Sequence, residues 1–115
     1  MIPYIKKDNI DTKDIEAAKN HVEYPVYPTR SIVEITALFD VLHQNLENIN
    51  IPILLINSKN DGTVPINHQE KYREHISSAL LETVVLEKSG HVITEDVERD
   101  IVFNTALKFI QKYTK

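Results

Sequence analysis

Residues 51 to 57 read IPILLIN, an apolar run that is unbroken up to Asn57. A strand that is buried on one face alternates apolar and polar side chains, so an unbroken run predicts a strand covered on both faces. Parallel sheets with helices packed on either side provide that cover. The run therefore predicts an α/β fold, and Pro52 suits the first position of such a strand.

A second strand and four helices complete the predicted pattern. The segment ETVVLEK is short and β-branched, and SIVEITALFDVLHQNLEN repeats apolar residues at steps of three and four, as amphipathic helices do. The predicted elements are strands over about 52–57 and 83–87, and helices over about 12–21, 31–48, 68–78 and 95–113. Because a helix lies between the two strands, they should be parallel and joined by a right-handed crossover.

Polar residues mark the predicted helix starts. Ser31 stands at the beginning of the second helix and is interpreted as its cap. Asn67 is followed three residues later by Glu70, the spacing at which side chains satisfy free backbone amides at a helix start. Thr94 is predicted to open the last helix. These positions also predict where the loops after the two strands end.

Two strands make a marginal sheet in water, so we expect this sheet to continue beyond them. The IPILLIN strand should then expose an edge that recruits either a missing N-terminal half or a second copy of the chain. The prolines of YPVYPT break the chain near residue 29. They divide it into a polar segment, 1–29, and a main region, 30–115.

Composition excludes several classes of function. The net charge of −4 disfavours nucleic-acid binding, and the absence of cysteine excludes disulfides, a thiolate metal site and a cysteine nucleophile. The first residues, MIPYIKKDNIDTKD, lack the apolar stretch of a signal peptide, and no later run approaches membrane-spanning length. We therefore expect a cytoplasmic protein without a membrane span.

The most informative polar residues follow the two strands. Asp61 lies in INSKNDGTVPIN and His91 lies in KSGHVITED, and ligands collect at this end of open α/β sheets. Neighbouring strands are roughly 5 Å apart, so the two loops can bring these side chains into contact. A carboxylate beside an imidazole fixes its tautomer, as a general base serving a hydroxyl nucleophile requires. Gly90 is expected to let the chain turn sharply toward Asp61.

Simpler interpretations compete with a catalytic one. Asp61-Gly62 could form the tip of a hairpin, although Pro65 would remove a hydrogen-bond donor from its returning arm. Residues 57–68 loosely resemble a calcium loop, but Lys59 and His68 occupy ligand positions. The other histidines show no HxxxH or HExxH spacing, so neither a metal nor a cofactor is expected.

The chain resembles the C-terminal part of an α/β-hydrolase, specifically the small bacterial carboxylesterases related to monoacylglycerol lipases. IPILLINSKNDGTVPIN is similar to the strand and acid loop of that family, with its D-x-x-V-P pattern, and SGHVITED is similar to its histidine loop. The resemblance covers the chain from about residue 29 to its end, and segment 1–29 is more loosely similar to part of a cap. It implies that Asp61 is the acid and His91 the general base of a Ser-His-Asp triad.

The same resemblance makes Val64 and Val92 candidate substrate contacts, with a core role for Val92 as the alternative. It also implies a serine on a G-x-S-x-G elbow before Asp61. The only glycines are Gly62 and Gly90, so this motif is absent. The expected function is that of a C-terminal fragment of a serine carboxylesterase, inactive by itself, whose complete enzyme takes small esters. The alternative is a non-catalytic interaction module.

Overall fold

The computed structural model describes residues 2–114. Its central element is a pair of parallel strands, β3 (Ile53–Ser58) and β4 (Leu81–Leu86). They run in register from Ile53 opposite Leu81 to Ser58 opposite Leu86. Helix α3 (Asn67–His75) connects them, and α4 (Arg99–Tyr113) follows β4. The predicted α/β fold with two parallel strands is therefore confirmed, and the hairpin interpretation of Asp61-Gly62 is wrong.

A second, smaller sheet lies near the N-terminus. Strands β1 (Tyr4–Lys6) and β2 (Val26–Pro28) pair antiparallel, and α1 (Ile15–Asn20) lies between them in sequence. The prediction of only two strands is wrong in this respect. Each of these strands has three residues, too few to show a period of two, and the prolines around β2 were interpreted only as a break.

The first two helices differ from their predicted bounds. Helix α1 begins at Ile15 rather than 12, because Asp14 caps it by accepting hydrogen bonds from the Glu16 and Ala17 amides. Helix α2 (Thr29–Asn45) is continued by a 3₁₀ turn (Leu46–Asn48). Its N-cap position is Pro28, so Ser31 lies inside the first turn and the prediction that it caps the helix is wrong.

The last two helices also begin or end differently. Asn67 is the first residue of α3 and makes no side-chain cap, so the predicted capping arrangement with Glu70 is wrong. The helix stops at His75 rather than 78. Helix α4 begins at Arg99 rather than 95, because residues 91–98 form turns around the buried Asp96. Thr94 lies in those turns and does not start the helix.

The core of the described residues is small. Its buried apolar side chains are Leu46, Leu86 and Val102, and the apolar face of α2 is largely uncovered, with Leu38 60% exposed. The radius of gyration is 16.3 Å, whereas a compact domain of roughly 100 residues has about 13 Å. Much of the apolar surface of the helices is therefore left uncovered among the described residues. Between residues 2 and 114, no helix combines the length and apolar character needed to cross a bilayer.

Candidate active site

The two central strands end side by side, and their exits are joined by hydrogen bonds. The Lys59 amide donates to the carbonyl of Leu86 at 2.9 Å. The buried Ser58 hydroxyl donates to the carbonyl of Ser89. Consequently the loop after β3, residues 59–66 (the acid loop), and the loop after β4, residues 87–98 (the histidine loop), leave the sheet together.

Asp61 is held by its own loop and faces His91. Its Oδ1 accepts hydrogen bonds from the Thr63 amide at 2.8 Å and the Val64 amide at 2.7 Å. Its Oδ2 lies 2.9 Å from Nδ1 of His91. The Asp61 side chain is only 6% exposed, whereas that of His91 is 42% exposed. The structure thus brings together the two residues that were predicted to meet.

The electrostatics of this pair favour a charged acid. Burial raises the pKa of Asp61, but hydrogen bonds from the Val64 amide, from His91 and from the Thr63 amide outweigh burial and hold that pKa below its ordinary value. An ionised carboxylate at Nδ1 favours the imidazole tautomer that carries its proton there. The Nε2 atom of His91 is then left as a proton acceptor, which is the state that a general base requires.

A buried carboxylate, Asp96, organises the histidine loop. It is fully buried and accepts hydrogen bonds from the backbone amides of Gly90 at 2.7 Å, Lys13 at 2.9 Å, Asp14 at 2.9 Å and Val97 at 2.7 Å. Burial raises the pKa of Asp96, but hydrogen bonds from the Gly90, Lys13 and Val97 amides and from the Thr12 side chain outweigh burial and lower that pKa. Asp96 therefore attaches the loop that carries His91 to the N-terminal segment.

Further polar contacts join the same two segments. Asp14 Oδ2 lies 3.0 Å from Nη1 of Arg99, and Glu95 Oε2 lies 2.7 Å from Nδ1 of His21. Glu98 turns back toward the exit of β4, where its Oε2 accepts hydrogen bonds from the Ser89 amide and hydroxyl, both at 2.8 Å. The end of the histidine loop is thus joined both to the N-terminal segment and, through Glu98, to the exit of β4.

Asp11 touches both loops, and sequence reasoning missed it together with Asp96 and Glu98. Its Oδ2 accepts a hydrogen bond from the Gly62 amide at 2.8 Å, and its carbonyl accepts one from the His91 amide at 2.9 Å. The run DNIDTKD does show three acids close together, but nothing local indicates that Asp11 meets loops about fifty and eighty residues further along the chain.

Gly90 has a different role from the predicted one. Neither of the chain's two glycines has a positive φ, so the expectation that Gly90 supplies a sharp turn is wrong. A Cβ atom at this position would lie 2.5 Å from Oδ1 of Asp11 and 2.6 Å from its carbonyl oxygen. The glycine is needed because the backbone of Asp11 packs directly against it.

The two candidate substrate contacts differ in their surroundings. Val64 borders a cavity of about 720 Å³ between α2, the acid loop and α3. The cavity is lined by Phe39, His43, Leu46, Thr63, Val64, His68, Lys71, Tyr72 and His75. Val92 does not border this cavity, and its amide donates to the carbonyl of Asp11 at 3.3 Å. A substrate role for either valine stays a prediction.

The serines do not supply a partner for His91. Ser58 and Ser89 are fully buried and hydrogen-bonded near the strand exits, and Ser31 lies on the exposed surface of α2. Among residues 2–114, no serine hydroxyl is hydrogen-bonded to the His91 ring. The site therefore contains an acid and a base next to each other, without a hydroxyl nucleophile in contact.

These strands, helices and loops form part of an α/β-hydrolase fold. A solved structure from work on LipS and LipT, two metagenome-derived lipolytic enzymes, matches 97% of this chain and 45% of its own length, with a TM-score of 0.90 and 28% sequence identity. The crystal structure of Paleococcus ferrophilus monoacylglycerol lipase matches 90% of this chain and 43% of its own length, with a TM-score of 0.76 and 18% identity. The second match supports the fold alone.

Sequence comparison points to the same group of enzymes. The thermostable monoacylglycerol lipase of Bacillus sp. (strain H-257) is 30% identical over 90 residues, which are 78% of this chain and 36% of that protein. No protein-family model matches the chain. The chain is thus a partial α/β-hydrolase similar to bacterial lipases and esterases, and it spans less than half the length of each of these relatives.

Proposed function

We propose that this chain supplies the acid and the general base of a serine carboxylesterase whose nucleophile is carried by a separate segment. The observation that carries this proposal is the 2.9 Å contact between Asp61 Oδ2 and His91 Nδ1, at the adjacent exits of two parallel strands. The sequence resemblance to lipase-like α/β-hydrolases supports the proposal, since it implies that Asp61 is the acid and His91 the histidine of a triad.

The chemistry follows from the pair. Nε2 of His91 removes the proton of a serine hydroxyl while the serine oxygen attacks the ester carbonyl, and Asp61 stabilises the imidazolium that forms. The imidazolium then gives its proton to the departing alcohol, which leaves an acyl-enzyme. Water, deprotonated in turn by His91, attacks the acyl carbon, and the carboxylic acid and the free serine are released.

Several neighbouring features fit an ester substrate. Val64 borders the 720 Å³ cavity immediately beside the acid loop, where an acyl or alcohol group of a small ester could contact it. In the same proposal Val92 contacts the substrate from the histidine loop and segment 1–29 forms part of a cap. A cytoplasmic location is compatible with a chain that has no cysteine.

This proposal expects the 115-residue chain to be inactive by itself. Triad residues act as a unit, so a base without a nucleophile and an oxyanion hole contributes very little. The purified chain should not hydrolyse 4-nitrophenyl butyrate above the buffer rate. Turnover that disappears in a His91→Ala variant would contradict this, because it would require a nucleophile within the chain.

The positive test is a chimera in which this chain replaces the corresponding part of the Bacillus monoacylglycerol lipase. The chimera should hydrolyse 4-nitrophenyl butyrate, and His91→Ala should lower kcat by about 10³-fold or more. Ser31→Ala is the matched control, since that serine is exposed on α2 and its removal should leave kcat unchanged. A folded chimera whose activity is unchanged by His91→Ala would refute the proposed role.

The second candidate function is a non-catalytic module that binds its missing half or a second copy of itself. Two observations favour it: residues 31–41 of α2 are exposed throughout, and β3 pairs only with β4 among the described strands. Sedimentation separates the candidates. A chain that is strictly monomeric at high concentration and has strongly protected β3 amides would argue against self-association.

A further inference from the structure

Asp11 connects the backbone of the acid loop to that of the histidine loop. Its carboxylate oxygen Oδ2 accepts a hydrogen bond from the Gly62 amide at 2.8 Å. Its carbonyl oxygen accepts hydrogen bonds from the His91 amide at 2.9 Å and the Val92 amide at 3.3 Å. Gly62 directly follows Asp61 in sequence. Asp11 therefore binds the backbone next to the acid, Asp61, and the backbone of the base, His91.

The two glycines provide an independent observation. They are the only glycines in the chain, and both lie against Asp11. A Cβ on Gly62 would lie 3.3 Å from Oδ2 of Asp11, and one on Gly90 would lie 2.5 Å from Oδ1. Since neither glycine has a positive φ, close packing around Asp11 is the physical reason for glycine at Gly90, and the contact at Gly62 is also tight.

We propose that Asp11 is a positioning residue that couples the two loops and so maintains the hydrogen bond between Asp61 and His91. This inference rests on the proposed function, because it assigns Asp11 to the same acid–base pair. Asp11 acts through the backbone of Gly62 and His91. Catalytic side chains must hold their geometry within roughly 0.5 Å, which explains why a support shared by both loops matters.

The charge of Asp11 suits this role. Burial raises its pKa, but the Gly62 amide and the Lys13 ammonium, which lies 3.0 Å from Oδ1, outweigh burial and lower that pKa. The carboxylate is therefore ionised at neutral pH and forms a charge-assisted hydrogen bond with Gly62. The Lys13 contact is largely exposed, so it should add little by itself.

Amide hydrogen exchange and the ¹⁵N spectrum of His91, both measured on the full chain, test the proposal. Asp11→Ala removes the acceptor for Gly62 but keeps the carbonyl that binds His91. Gly62 should then exchange about tenfold faster, and the fraction of His91 with its proton on Nδ1 should fall, while the amides of β3 and β4 keep their protection. Unchanged Gly62 exchange and an unchanged His91 tautomer in a folded Asp11→Ala chain would overturn the proposal.

Three further variants keep the test decisive if Asp11→Ala does not fold. Asp11→Asn retains an acceptor oxygen at the same position but loses the charge, so it should restore most of both signals. Asp11→Glu retains the charge but displaces the carboxylate, so both the slow exchange of Gly62 and the proton on Nδ1 of His91 should be lost. Lys13→Met removes only the ammonium group that contacts Asp11, and it should change neither the Gly62 exchange rate nor the His91 tautomer. Loss with Asn together with retention in Glu would overturn the proposal, because charge rather than position would then be decisive.

Failure of this inference is distinguishable from failure of the proposed function. If the folded chimera does not hydrolyse esters, the proposed function fails, whatever Asp11 does to Gly62. If the chimera is active and Asp11→Ala leaves its kcat unchanged, the positioning role fails and the esterase proposal stands. The expected result is a lower kcat with little change in KM, and its restoration by Asp11→Asn.

Discussion

Nδ1 of His91 lies 2.9 Å from Oδ2 of Asp61, although thirty residues separate them in sequence. The contact exists because Ser58 and Leu86, the last residues of β3 and β4, lie opposite each other in a parallel pair. The acid is then fixed by two amides of its own loop, and the histidine loop by Asp96 and Asp11. In this hydrogen-bonded pair the base, but not the acid, is therefore substantially exposed.

Substitution of the two glycines should have unequal effects. In Gly90→Ala the new methyl group would meet the backbone of Asp11, which cannot move aside easily, so we expect a loss of about 1–3 kcal/mol in the free energy of unfolding. In Gly62→Ala it would meet only the end of the Asp11 side chain, at 3.3 Å. Urea denaturation of both variants measures the difference.

Gly62→Ala is the matched control for this prediction. Because its φ is not positive, reduced freedom of the unfolded chain should offset part of the crowding there, and the net change should be within about 1 kcal/mol. Equal destabilisation by the two substitutions would show that close packing against Asp11 is not what Gly90 provides.

Asp96→Asn should destabilise the chain strongly. The substitution replaces one carboxylate oxygen by an NH₂ group that faces backbone donors, so either the Gly90 amide at Oδ2 or the Asp14 and Val97 amides at Oδ1 lose their acceptor. We expect a loss of about 2–3 kcal/mol in urea denaturation. The control is Asp100→Asn, since Asp100 is an exposed carboxylate in the first turn of α4. This substitution should lower the free energy of unfolding by only about a few tenths of a kcal/mol. Similar losses in both variants would mean that the buried network contributes little.

Acid should unfold the chain through the same carboxylates. The pKa values of Asp11, Asp61, Asp96 and Glu98 are all lowered from their ordinary values of 3.8 and 4.5. A lowered pKa contributes stability that is fully present above the ordinary value and is lost as the pH falls through the folded-state value. The free energy of unfolding should therefore be constant near pH 6 and fall below about pH 4.

Denaturation midpoints measured between pH 7 and pH 3 check this dependence. The fall should be shallower in Asp96→Asn, because one of the contributing carboxylates is then absent. Stability that rises on acidification, or a slope identical in both proteins, would contradict the assignment of these groups.

The exposed face of α2 should control association. If the chain binds a second copy of itself, as in the second candidate function, lysine in place of Ile35, which is 49% exposed, and Leu38, which is 60% exposed, should reduce the self-association measured by sedimentation without a large loss of stability. Val22→Lys is the control, since Val22 is 93% exposed but lies outside α2. An equal reduction by Val22→Lys would show that α2 is not the contact surface.

The sheet and the acid–histidine contact were predictable, because IPILLIN and the short β-branched run each carry a local signal and parallel strands end at one edge. The starts of α2, α3 and α4 were not, because Ser31, Asn67 and Thr94 have cap-like side chains that the structure does not use. The helix after the histidine loop starts late because Asp96 binds backbone amides of its own loop and of the distant segment at Lys13 and Asp14, and no local pattern encodes the distant contact.

The supporting residues were missed for the same physical reason. Asp11 has no periodicity or motif around it, and its role appears only when the Gly62 and His91 amides are seen to converge on it. The strands β1 and β2 were missed because pairing, rather than the composition of three residues, creates them. Apolar periodicity predicted α2 as a helix but could not indicate that its apolar face lies uncovered among the described residues.

The most direct test of the account is the tautomer of neutral His91, read from long-range ¹H–¹⁵N correlation spectra of the unsubstituted chain. The proton should lie on Nδ1, facing Asp61, with Nε2 free to accept a proton, and Asp61→Asn should reverse this arrangement because its amide donates to Nδ1. A proton on Nε2 in the unsubstituted chain would contradict the central claim that Asp61 orients His91 as a general base.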